Sequence, residues 1–399
     1  MKLSQGTVIF EEDTLTEAIR REVRSFIERI VLEELAATLG AGPYQRTEER
    51  QGYRHGFEHR QISTSLGRTD IKVPRGRLFG PDGETIEWQS HILPRYQRRA
   101  KALDDAILGI YLCGANTRRI KQALRPLLKG TPLSKSSISC LVLRLKEYFE
   151  SWRTRALHNE FVAYLYLDGF GVTIRSCGRV CRVPVLAAVG VNEKGEKILL
   201  GLWLRGSESA QAWQGVIEDL VLRGLPCPEL VIIDGNQGLR SAIELTWPKI
   251  DVQRCVVHKL RNLLAHAPKH ASEAIKEDFH AIVYASGLEE ALLARDRFVR
   301  KWKTRCEGVV KSLKEAGNEL LTFFRYPQSQ WKSLRSTNII ERLYGEFRRR
   351  IKTQASLPSE HAVLIILFGL FASGQICLRR LSGWRDMPQV VNKTIDKVA

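Results

Sequence analysis

Short apolar runs alternate with amphipathic stretches through the middle of the chain. The first run, residues 161–169, is apolar almost without interruption until Asp168, which is typical of a strand covered on both faces. Amphipathic stretches with apolar residues at helical spacing separate the later runs. Together they predict strands at 180–191, 197–204, 229–235 and 252–257, and helices at 209–223 and 237–247.

The order of these elements indicates the fold class. Three strands, a helix, a strand, a helix and a last strand is the order of a ribonuclease H-like core. We therefore expect an α/β fold in which a mixed sheet has helices on both faces. In this strand order the first and fourth strands lie side by side, so residues 161–169 and 229–235 are predicted neighbours.

After the fifth strand the sequence loses strand character and becomes helical and charged. Helices are predicted at 259–266, 271–286 and 289–315. These would form an all-helical insertion over 259–330, between a first part of the core at 156–258 and a second part at 331–399. The second part begins with an amphipathic helix from Asn338. A strongly apolar helix over 359–378 follows, and we expect it to pack under the sheet.

The N-terminal region, residues 1–98, mixes two patterns. Residues 11–39 have apolar positions at three- and four-residue steps, which predicts a helix. Residues 40–98 are Gly-rich and strand-like, and an alternating stretch from Thr69 is expected to break at Pro74.

Residues 101–149 predict three helices, of which the last two are at 116–129 and 134–149. The turn between them contains Gly130 and Pro132, and small polar residues begin the last helix. This arrangement resembles a helix-turn-helix, although any helical hairpin has a similar pattern. We predict that 99–155 is a DNA-binding domain, which makes the N-terminal part of the chain a largely helical DNA-binding region. The predicted DNA contacts of this domain are Lys135, Ser136 and Ser137.

The charge of the chain indicates a polyanionic partner. Its 399 residues contain 62 Lys and Arg against 44 Asp and Glu, a formal net charge of +18. Nucleic acid is the first candidate, and anionic lipid or general solubility are the alternatives. The N-terminus shows no signal peptide, the apolar run 363–372 is too short to cross a bilayer, and the eight Cys form no framework. We therefore expect a cytoplasmic protein without a membrane partner.

Two carboxylates, Asp168 and Asp234, stand at the ends of apolar runs, and each is followed by Gly. Asp-Gly is also an ordinary turn dipeptide, so neither residue alone indicates a site. Because their strands are predicted neighbours, the two carboxylates are expected to converge at the edge of the sheet, where open α/β folds bind ligands. Carboxylates that close repel each other, and a divalent cation such as Mg²⁺ or Mn²⁺ is the usual reason that such a pair persists.

A third carboxylate is expected from the helix that begins at Asn338. At 100° per residue, Glu341, Gly345, Arg348 and Lys352 share one face of this helix. The face therefore presents a carboxylate, a position without a side chain and two cations. Such a surface suits a metal ion and the close approach of a phosphodiester backbone.

Other interpretations of this carboxylate remain open. Glu341 completes a capping box if Asn338 is the N-cap of the helix. Glu346 and Asp251 are rivals for the third position, but Glu346 is rotated to another face and Asp251 comes too early in the fifth strand.

Four short motifs give the chain a resemblance to a known family. They are Tyr166-Leu167-Asp168-Gly169, Ile233-Asp234-Gly235-Asn236, Cys255-x-x-His258, and Thr337-Asn338-x-x-Glu341-Arg342 followed by Arg348-Arg349-Arg350. With these motifs the chain resembles the Mutator-type DDE transposases of bacterial insertion sequences over nearly its whole length. The Cys-x-x-His and Thr-Asn-x-x-Glu-Arg motifs are the specific ones, because Asp-Gly pairs alone are common.

The resemblance implies a catalytic triad of Asp168, Asp234 and Glu341 that works with Mg²⁺. The implied partner is double-stranded DNA, both the terminal inverted repeats of an element and a target, and holding two ends requires at least a dimer. The implied reaction is hydrolytic nicking at an element end, followed by attack of the freed 3′-hydroxyl on another phosphodiester. The DNA contacts expected near this site are Arg342, Arg348, Arg349, Arg350, Lys352 and His258.

Two other functions fit the same residues. A structure-selective nuclease of this fold would cut DNA without joining it. A non-catalytic DNA-binding regulator need not keep three carboxylates, so their presence argues against it. Zinc binding by Cys255 and His258 with His266 and His270 is disfavoured, because Pro268 interrupts the helix that would pair the last two.

Overall fold

The computed structural model describes residues 14–113, 117–124, 135–176, 179–351 and 360–391. The chain divides into two compact units, residues 1–144 and 145–399. The five segments predicted from the sequence are a finer division, and their boundaries stay a prediction.

The first unit begins with a helix packed on a small sheet. Its elements are α1 (Thr14–Leu39), β1 (Gly52–Thr64), β2 (Gly67–Phe79) and β3 (Thr85–Glu87). The three strands are antiparallel in the order β1-β2-β3. Val31, Leu35 and Leu39 of α1 are buried in one cluster with Ile71 and Val73 of β2. This cluster confirms the helical spacing at 11–39 and the strand character of 40–98.

The expected break at Pro74 is wrong, because β2 continues through this residue to Phe79. Pro74 pairs with Phe57, beside an irregularity in β1 between Arg54 and Phe57. On its other edge β2 pairs with β3 only from Arg77 onward. A proline is tolerated here because bulges and unpaired strand edges need no backbone N–H.

Three helices follow among the described residues of the first unit, and they confirm the helical prediction for the described parts of 101–149. They are α2 (Lys101–Leu112), α3 (Thr117–Ala123) and α4 (Lys135–Arg153), the last of which runs on into the second unit. Ile107, Ile120 and Ile138, one from each helix, share a buried cluster. The predicted turn with Gly130 and Pro132 lies outside the described residues.

The second unit is built on a five-stranded mixed sheet in the order β6-β5-β4-β7-β8. The strands are β4 (Tyr164–Ser176), β5 (Arg179–Val191), β6 (Lys197–Leu204), β7 (Leu230–Ile233) and β8 (Asp251–Arg254). β4, β5 and β6 are antiparallel neighbours, whereas β7 is parallel to both β4 and β8. Leu165 pairs with Val231, which confirms that the first and fourth strands are adjacent.

Two strand ends differ from the sequence prediction. β4 does not end near Asp168 but continues to Ser176, because its second half pairs along its whole length with β5. β8 ends at Arg254, so Val256 and Val257 are helical instead of extended. The reason is that Cys255 is the N-cap of the next helix.

Helices cover both faces of the sheet. On one face α5 (Ala210–Leu222) and α6 (Gln237–Thr246) pack on β4 and β7, with Trp213, Leu165 and Ile233 in one buried cluster. On the other face the hydroxyl of Tyr164 donates to Gln330 and that of Tyr166 to the backbone oxygen of Ser333. Helix α13 (Glu360–Ala372) packs against β4 and β6, as predicted for the apolar helix.

A helical bundle stands between β8 and the last helices, as the sequence indicated. It consists of α7 (Val256–Ala265), α8 (Ser272–Val283), α9 (Leu288–Trp302) and α10 (Glu307–Ala316), which share one buried core. The single helix predicted over 289–315 is wrong. Cys306 has φ −146° and ψ 67°, so the chain turns there and both helices bury their apolar faces in the same core.

The C-terminal helices follow the bundle. They are the short α11 (Trp331–Leu334), α12 (Asn338–Ile351) and α13. α13 ends six residues earlier than predicted, because Gly374 takes a left-handed φ of 72° directly after it. Within the described ranges, no helix has the length and apolar character needed to span a membrane.

Candidate active site

The predicted catalytic carboxylates lie where β7 ends beside β4. Leu167 of β4 pairs with Ile233, the last residue of β7. The next residues of the two parallel strands, Asp168 and Asp234, therefore occupy neighbouring positions. β4 continues past this point with β5 alone, so Asp168 lies inside a long strand while Asp234 begins a turn.

Asp168 is buried, with 6% of its surface exposed. The backbone N–H of Gly169 donates to its carboxylate at 2.8 Å. Burial raises the pKa of Asp168 to about 7, and the negative charge of Asp234 adds to this rise. The two carboxylates therefore interact, as the predicted convergence requires.

The turn after β7 is fixed by hydrogen bonds on both sides. The backbone N–H of Asn236 donates to the Asp234 carboxylate at 2.8 Å, and the Asn236 side chain caps α6. Gly235 has a left-handed φ of +100°, and a Cβ there would lie 2.4 Å from the guanidinium of Arg254. Arg254 Nη2 donates to the backbone oxygen of Gly235 at 3.1 Å. Only glycine fits this position.

Arg254 belongs to a buried ion cluster that ties the helical bundle to this turn. Its Nη1 donates to Glu315 Oε1 at 2.7 Å, and Lys259 Nζ donates to the other oxygen of Glu315 at 2.7 Å. The side chains of Arg254 and Lys259 are 8% and 3% exposed, so both cations depend on this partner. The cluster therefore links β8, α7 and α10 behind the Asp234 turn.

Helix α12 is attached to β4 directly at Asp168. The buried hydroxyl of Tyr344 donates to the backbone oxygen of Asp168 at 2.7 Å. The Tyr344 ring stacks on Phe170, with 3.9 Å between the ring centroids. Phe347, one turn later, also stacks on Phe170. These contacts hold the first turns of α12, which contain Glu341, against β4 at Asp168.

The start of α12 is set by Thr337 and not by Asn338. The backbone oxygen of Thr337 accepts the N–H of Glu341 at 3.1 Å, which makes Thr337 the N-cap. The Thr337 N–H donates to Cys255 Sγ at 3.3 Å, so it is not bonded by a capping-box glutamate. The capping-box interpretation of Glu341 is therefore wrong.

Glu341 instead faces two basic side chains of α7. Its Oε1 accepts from Arg261 Nη1 at 3.2 Å and lies 3.6 Å from His258 Nε2. The charge of Glu341 makes a small contribution to the raised pKa of Asp168, which puts the three predicted carboxylates within electrostatic reach.

His258 is held by Cys255 and Thr337. Its Nδ1 lies 3.4 Å from the hydroxyl of Thr337. The hydrogen bond with Cys255 is the main reason why the pKa of His258 is raised to about 9, and the charges of Asp168 and Asp234 act in the same direction. Burial acts to raise the pKa of Cys255, but bonds with His258 and Thr337 outweigh it and lower this pKa. These effects favour the protonated imidazole of His258, which lies beside the carboxylates.

The donor set fits a hard divalent cation. Asp168, Asp234 and Glu341 offer carboxylate oxygens only, and Asp168 and Asp234 lack a side-chain cation in hydrogen-bond contact among the described residues. In the part of the chain that is described, no three His, Cys, Asp or Glu side chains are grouped closely enough to hold a metal ion. Of the three, Glu341 accepts a hydrogen bond from a basic side chain, that of Arg261.

The two rival carboxylates have other partners. Glu346 pairs with Arg349 and Arg350 on its own helix. Asp251 starts β8 and pairs with Arg325 at 2.8 Å, at the opposite end of the parallel strands from Asp234. Neither lies with Asp168.

The predicted DNA contacts differ in exposure. On α12, Arg342 and Arg348 are exposed, whereas Arg350 is half-buried and donates to the backbone oxygen of Gln375 at 2.7 Å. Lys352 lies outside the described residues. Lys135 begins α4, where Ser136 is exposed and Ser137 half-buried.

Sequence reasoning missed Glu208, which precedes the N-cap of α5. A Cβ on Gly169 would lie 2.7 Å from Glu208 Oε1, so this carboxylate lies against the strand residue after Asp168. Burial raises the pKa of Glu208, and the charge of Asp234 raises it further. The only signal in the sequence is an acidic residue before a helix, which is an ordinary feature of helix starts.

Comparison with known proteins identifies the family. The sequence profile of the Mutator family of transposases matches residues 2–375. The chain is 33% identical over 354 residues to the transposase for insertion sequence element ISRM5 of Rhizobium meliloti, covering 89% of this chain and 87% of the relative. It is 32% identical over 356 residues to the transposase for IS1081 of Mycobacterium tuberculosis, covering 89% and 84%. It is also 32% identical over 328 residues to the transposase for IS256 in transposon Tn4001 of Staphylococcus aureus, covering 80% of each chain. This chain belongs to the Mutator family of transposases.

Proposed function

We propose that this protein is the DNA transposase of an insertion sequence, with Asp168, Asp234 and Glu341 as its catalytic residues. The neighbouring positions of Asp168 and Asp234 at the end of β7 are the observation on which this proposal rests. The rise that the charge of Asp234 adds to the pKa of Asp168 supports it, as does the bond from Tyr344 that attaches α12 to Asp168. Membership of the transposase family supplies the reaction class.

The catalytic core is proposed to be ribonuclease H-like, interrupted by the helical bundle as an insertion. The strand order β6-β5-β4-β7-β8, in which β5 alone runs opposite to the other four strands, supports this assignment. The insertion separates Glu341 from the two Asp residues in sequence. The Arg254–Glu315 contact ties it back to the Asp234 turn.

Mg²⁺ or Mn²⁺ is the proposed cofactor, held by Asp168, Asp234 and Glu341. When bound, such ions lower the pKa of an attacking hydroxyl and stabilise the leaving oxygen of a phosphodiester. The protein supplies acceptor oxygens that have few other partners, on a strand, a turn and a helix. The cationic His258 is placed to stabilise negative charge on a phosphate beside them.

The proposed reaction has two displacements at phosphorus. Water first attacks the phosphodiester at an element end, so that one P–O bond forms, another breaks and a 3′-hydroxyl is released. That hydroxyl then attacks a phosphodiester of the target, joining element to target and releasing a target 3′-hydroxyl. The number of phosphodiester bonds is unchanged in the second step, so no external energy source is needed.

DNA is proposed to lie along the basic residues around this site and on the N-terminal part. Arg342 and Arg348 are exposed on α12 and are free to meet phosphates, whereas Arg350 has a protein partner. The terminal inverted repeats are proposed to be read by the region with Lys135, Ser136 and Ser137. Two ends must be held for joining, so we propose at least a dimer on DNA.

The test is a cleavage assay on a duplex that carries an element end. Asp168→Asn, Asp234→Asn and Glu341→Gln are each expected to lower cleavage by roughly 10³-fold or more while leaving end binding nearly unchanged. Asp251→Asn is the matched control, because Asp251 lies at the other end of the parallel strands. Normal cleavage by any one of the three variants excludes that residue from the site.

A second assay separates a transposase from a nuclease. A labelled, precleaved end is incubated with target DNA and Mg²⁺, and joined products are resolved by size. A transposase is expected to join the end to the target. Efficient cutting without joined products would favour a nuclease instead.

A further inference from the structure

We propose that Arg261 has two successive partners during the reaction. In the absence of metal its guanidinium neutralises Glu341, and when Glu341 binds metal the guanidinium moves to a phosphate of the DNA. This inference rests on the proposed function. It adds a phosphate-binding residue that comes from the inserted bundle and not from the basic run on α12.

The geometry at Glu341 supports the first partner. Arg261 Nη1 lies 3.2 Å from Glu341 Oε1, and His258 Nε2 lies 3.6 Å from the same oxygen. His258 and Arg261 are three residues apart on α7, so they share one face of that helix. The oxygen that a metal ion needs therefore already accepts a hydrogen bond from Arg261, and His258 of the same helix lies close to it.

The contact with Arg261 is one that a metal ion is able to displace. The Arg261 side chain is 60% exposed and that of Glu341 is 31% exposed, and ion pairs this open to solvent are weak. A divalent ion on Glu341 also repels the guanidinium. Because its head group is in solvent, Arg261 is free to turn away without opening the protein core.

Chemistry supports phosphate as the second partner. The guanidinium is always protonated, and its planar fork matches two oxygens of a phosphate. A phosphodiester held at Glu341 would lie next to the released side chain. Lys259, two residues earlier on α7, is not able to change partners in this way, because its amine is buried and bonded to Ser312 and Glu315.

The experiment uses full-length Arg261→Gln, with Arg300→Gln as the matched control. Arg300 is exposed on α9 of the same bundle, so both variants lose one positive charge. Binding of Mn²⁺ without DNA is measured by calorimetry or electron paramagnetic resonance. We expect Arg261→Gln to bind Mn²⁺ about twofold to fivefold more tightly than wild type, since a competing cation has been removed. Arg300→Gln is expected to match wild type.

The second readout is DNA binding. In Ca²⁺, which allows binding without cleavage, affinity for an element end is measured between 50 and 200 mM salt, roughly the range where counterion release dominates. Arg261→Gln is expected to bind more weakly, and the slope of log K against log salt is expected to fall by about one. Arg261→Lys keeps the slope because it keeps the charge.

The outcomes separate this inference from the proposed function. Unchanged Mn²⁺ affinity in Arg261→Gln would refute the proposed competition between Arg261 and the metal ion for Glu341. An unchanged salt slope would refute the proposed contact between Arg261 and a DNA phosphate. If wild-type protein cleaves element ends while both readouts stay unchanged, only this inference fails. If wild type neither binds Mn²⁺ nor cleaves, the proposed function fails and the inference fails with it.

Discussion

Two neighbouring residues of α12 face different surroundings. The ring of Tyr344 is buried against Phe170 and its hydroxyl bonds to Asp168. Gly345 follows it, one turn after Glu341, and apart from its chain neighbours and the backbone of its own helix no described atom lies within 4 Å of the place where its Cβ would be. Packing against the described residues therefore does not explain a glycine at this position. Glycine inside a helix costs about 1 kcal/mol relative to alanine, so a partner outside the chain is the better explanation.

Gly345→Ala tests this explanation. The free energy of unfolding is expected to rise by about 1 kcal/mol, because alanine favours the helix and meets no clash. DNA-end cleavage is expected to fall, since the added methyl group occupies the space proposed for the phosphodiester backbone. Thermal unfolding and the cleavage assay are measured on the same preparation.

Gly308→Ala provides the comparison for that variant. Gly308 lies in helix α10, and a Cβ there would make ordinary contact with His266 at 3.7 Å. This variant is expected to keep full cleavage. If Gly345→Ala also keeps full cleavage, DNA does not approach α12 at this residue.

Single residues were predicted from the sequence only where a local pattern marked them. Asp168 and Asp234 stand at the ends of apolar runs, and Glu341 follows a helix start, so each had a visible context. Glu208 and Arg254 had none. Glu208 reaches Gly169 from a loop, and Arg254 reaches Gly235 across the sheet. Such contacts depend on how separate segments meet, which spacing along the chain does not encode.

At the scale of elements, β8 and the bundle jointly support the Asp234 turn through Arg254. Arg254→Lys keeps the charge that Glu315 needs but lacks the fork that also reaches Gly235. We expect the Mg²⁺ concentration for half-maximal cleavage to rise by roughly tenfold, as for other residues that orient metal ligands, while the fold is retained. Titrating Mg²⁺ in the cleavage assay measures this.

Arg325→Lys is the control for the Arg254 variant. Arg325 bonds Asp251 at 2.8 Å, at the opposite end of the same strand β8, so the same substitution is made away from the turn. An equal rise in both variants would mean that strand β8 is simply loosened. If the Mg²⁺ concentration for half-maximal cleavage rises only in Arg254→Lys, the effect belongs to the Asp234 turn.

The strands and helices of the second unit were largely predictable because each buries a distinct apolar face. Tyr164 to Leu167 of β4 and Leu230 to Ile233 of β7 are fully buried, so apolar runs marked them. The ends were less predictable. β4 continues through alternating polar positions because β5 is there to pair with it. The break at Cys306 exists because both flanking helices pack in one core, a constraint that lies outside the local sequence.

At the scale of the whole molecule, we propose that one unit recognises the element ends and the other carries out the reaction. Residues 145–399 contain the complete candidate active site, and residues 1–144 contain the predicted end-reading residues. Deleting residues 1–144 is expected to remove the preference for element ends over random duplex, while salt-dependent binding through the remaining basic residues persists. Competition binding with both duplexes measures the preference.

A control is needed because the deletion also cuts helix α4. The fragment must show a cooperative thermal transition and bind Mn²⁺ like the full chain before its DNA preference is interpreted. A folded fragment that still prefers element ends would refute the assignment of end recognition to the first unit.

The long ladder between β4 and β5 has a mechanical consequence. It continues on both sides of Asp168, so this residue is held in the middle of a continuous antiparallel strand pair. Asp234 directly follows a four-residue strand and begins a turn, and Glu341 lies in the first turn of a helix. If the proposed function holds, we expect Asp168 to stay fixed when one DNA end is exchanged for the next, so that any adjustment in spacing comes from Asp234 and Glu341.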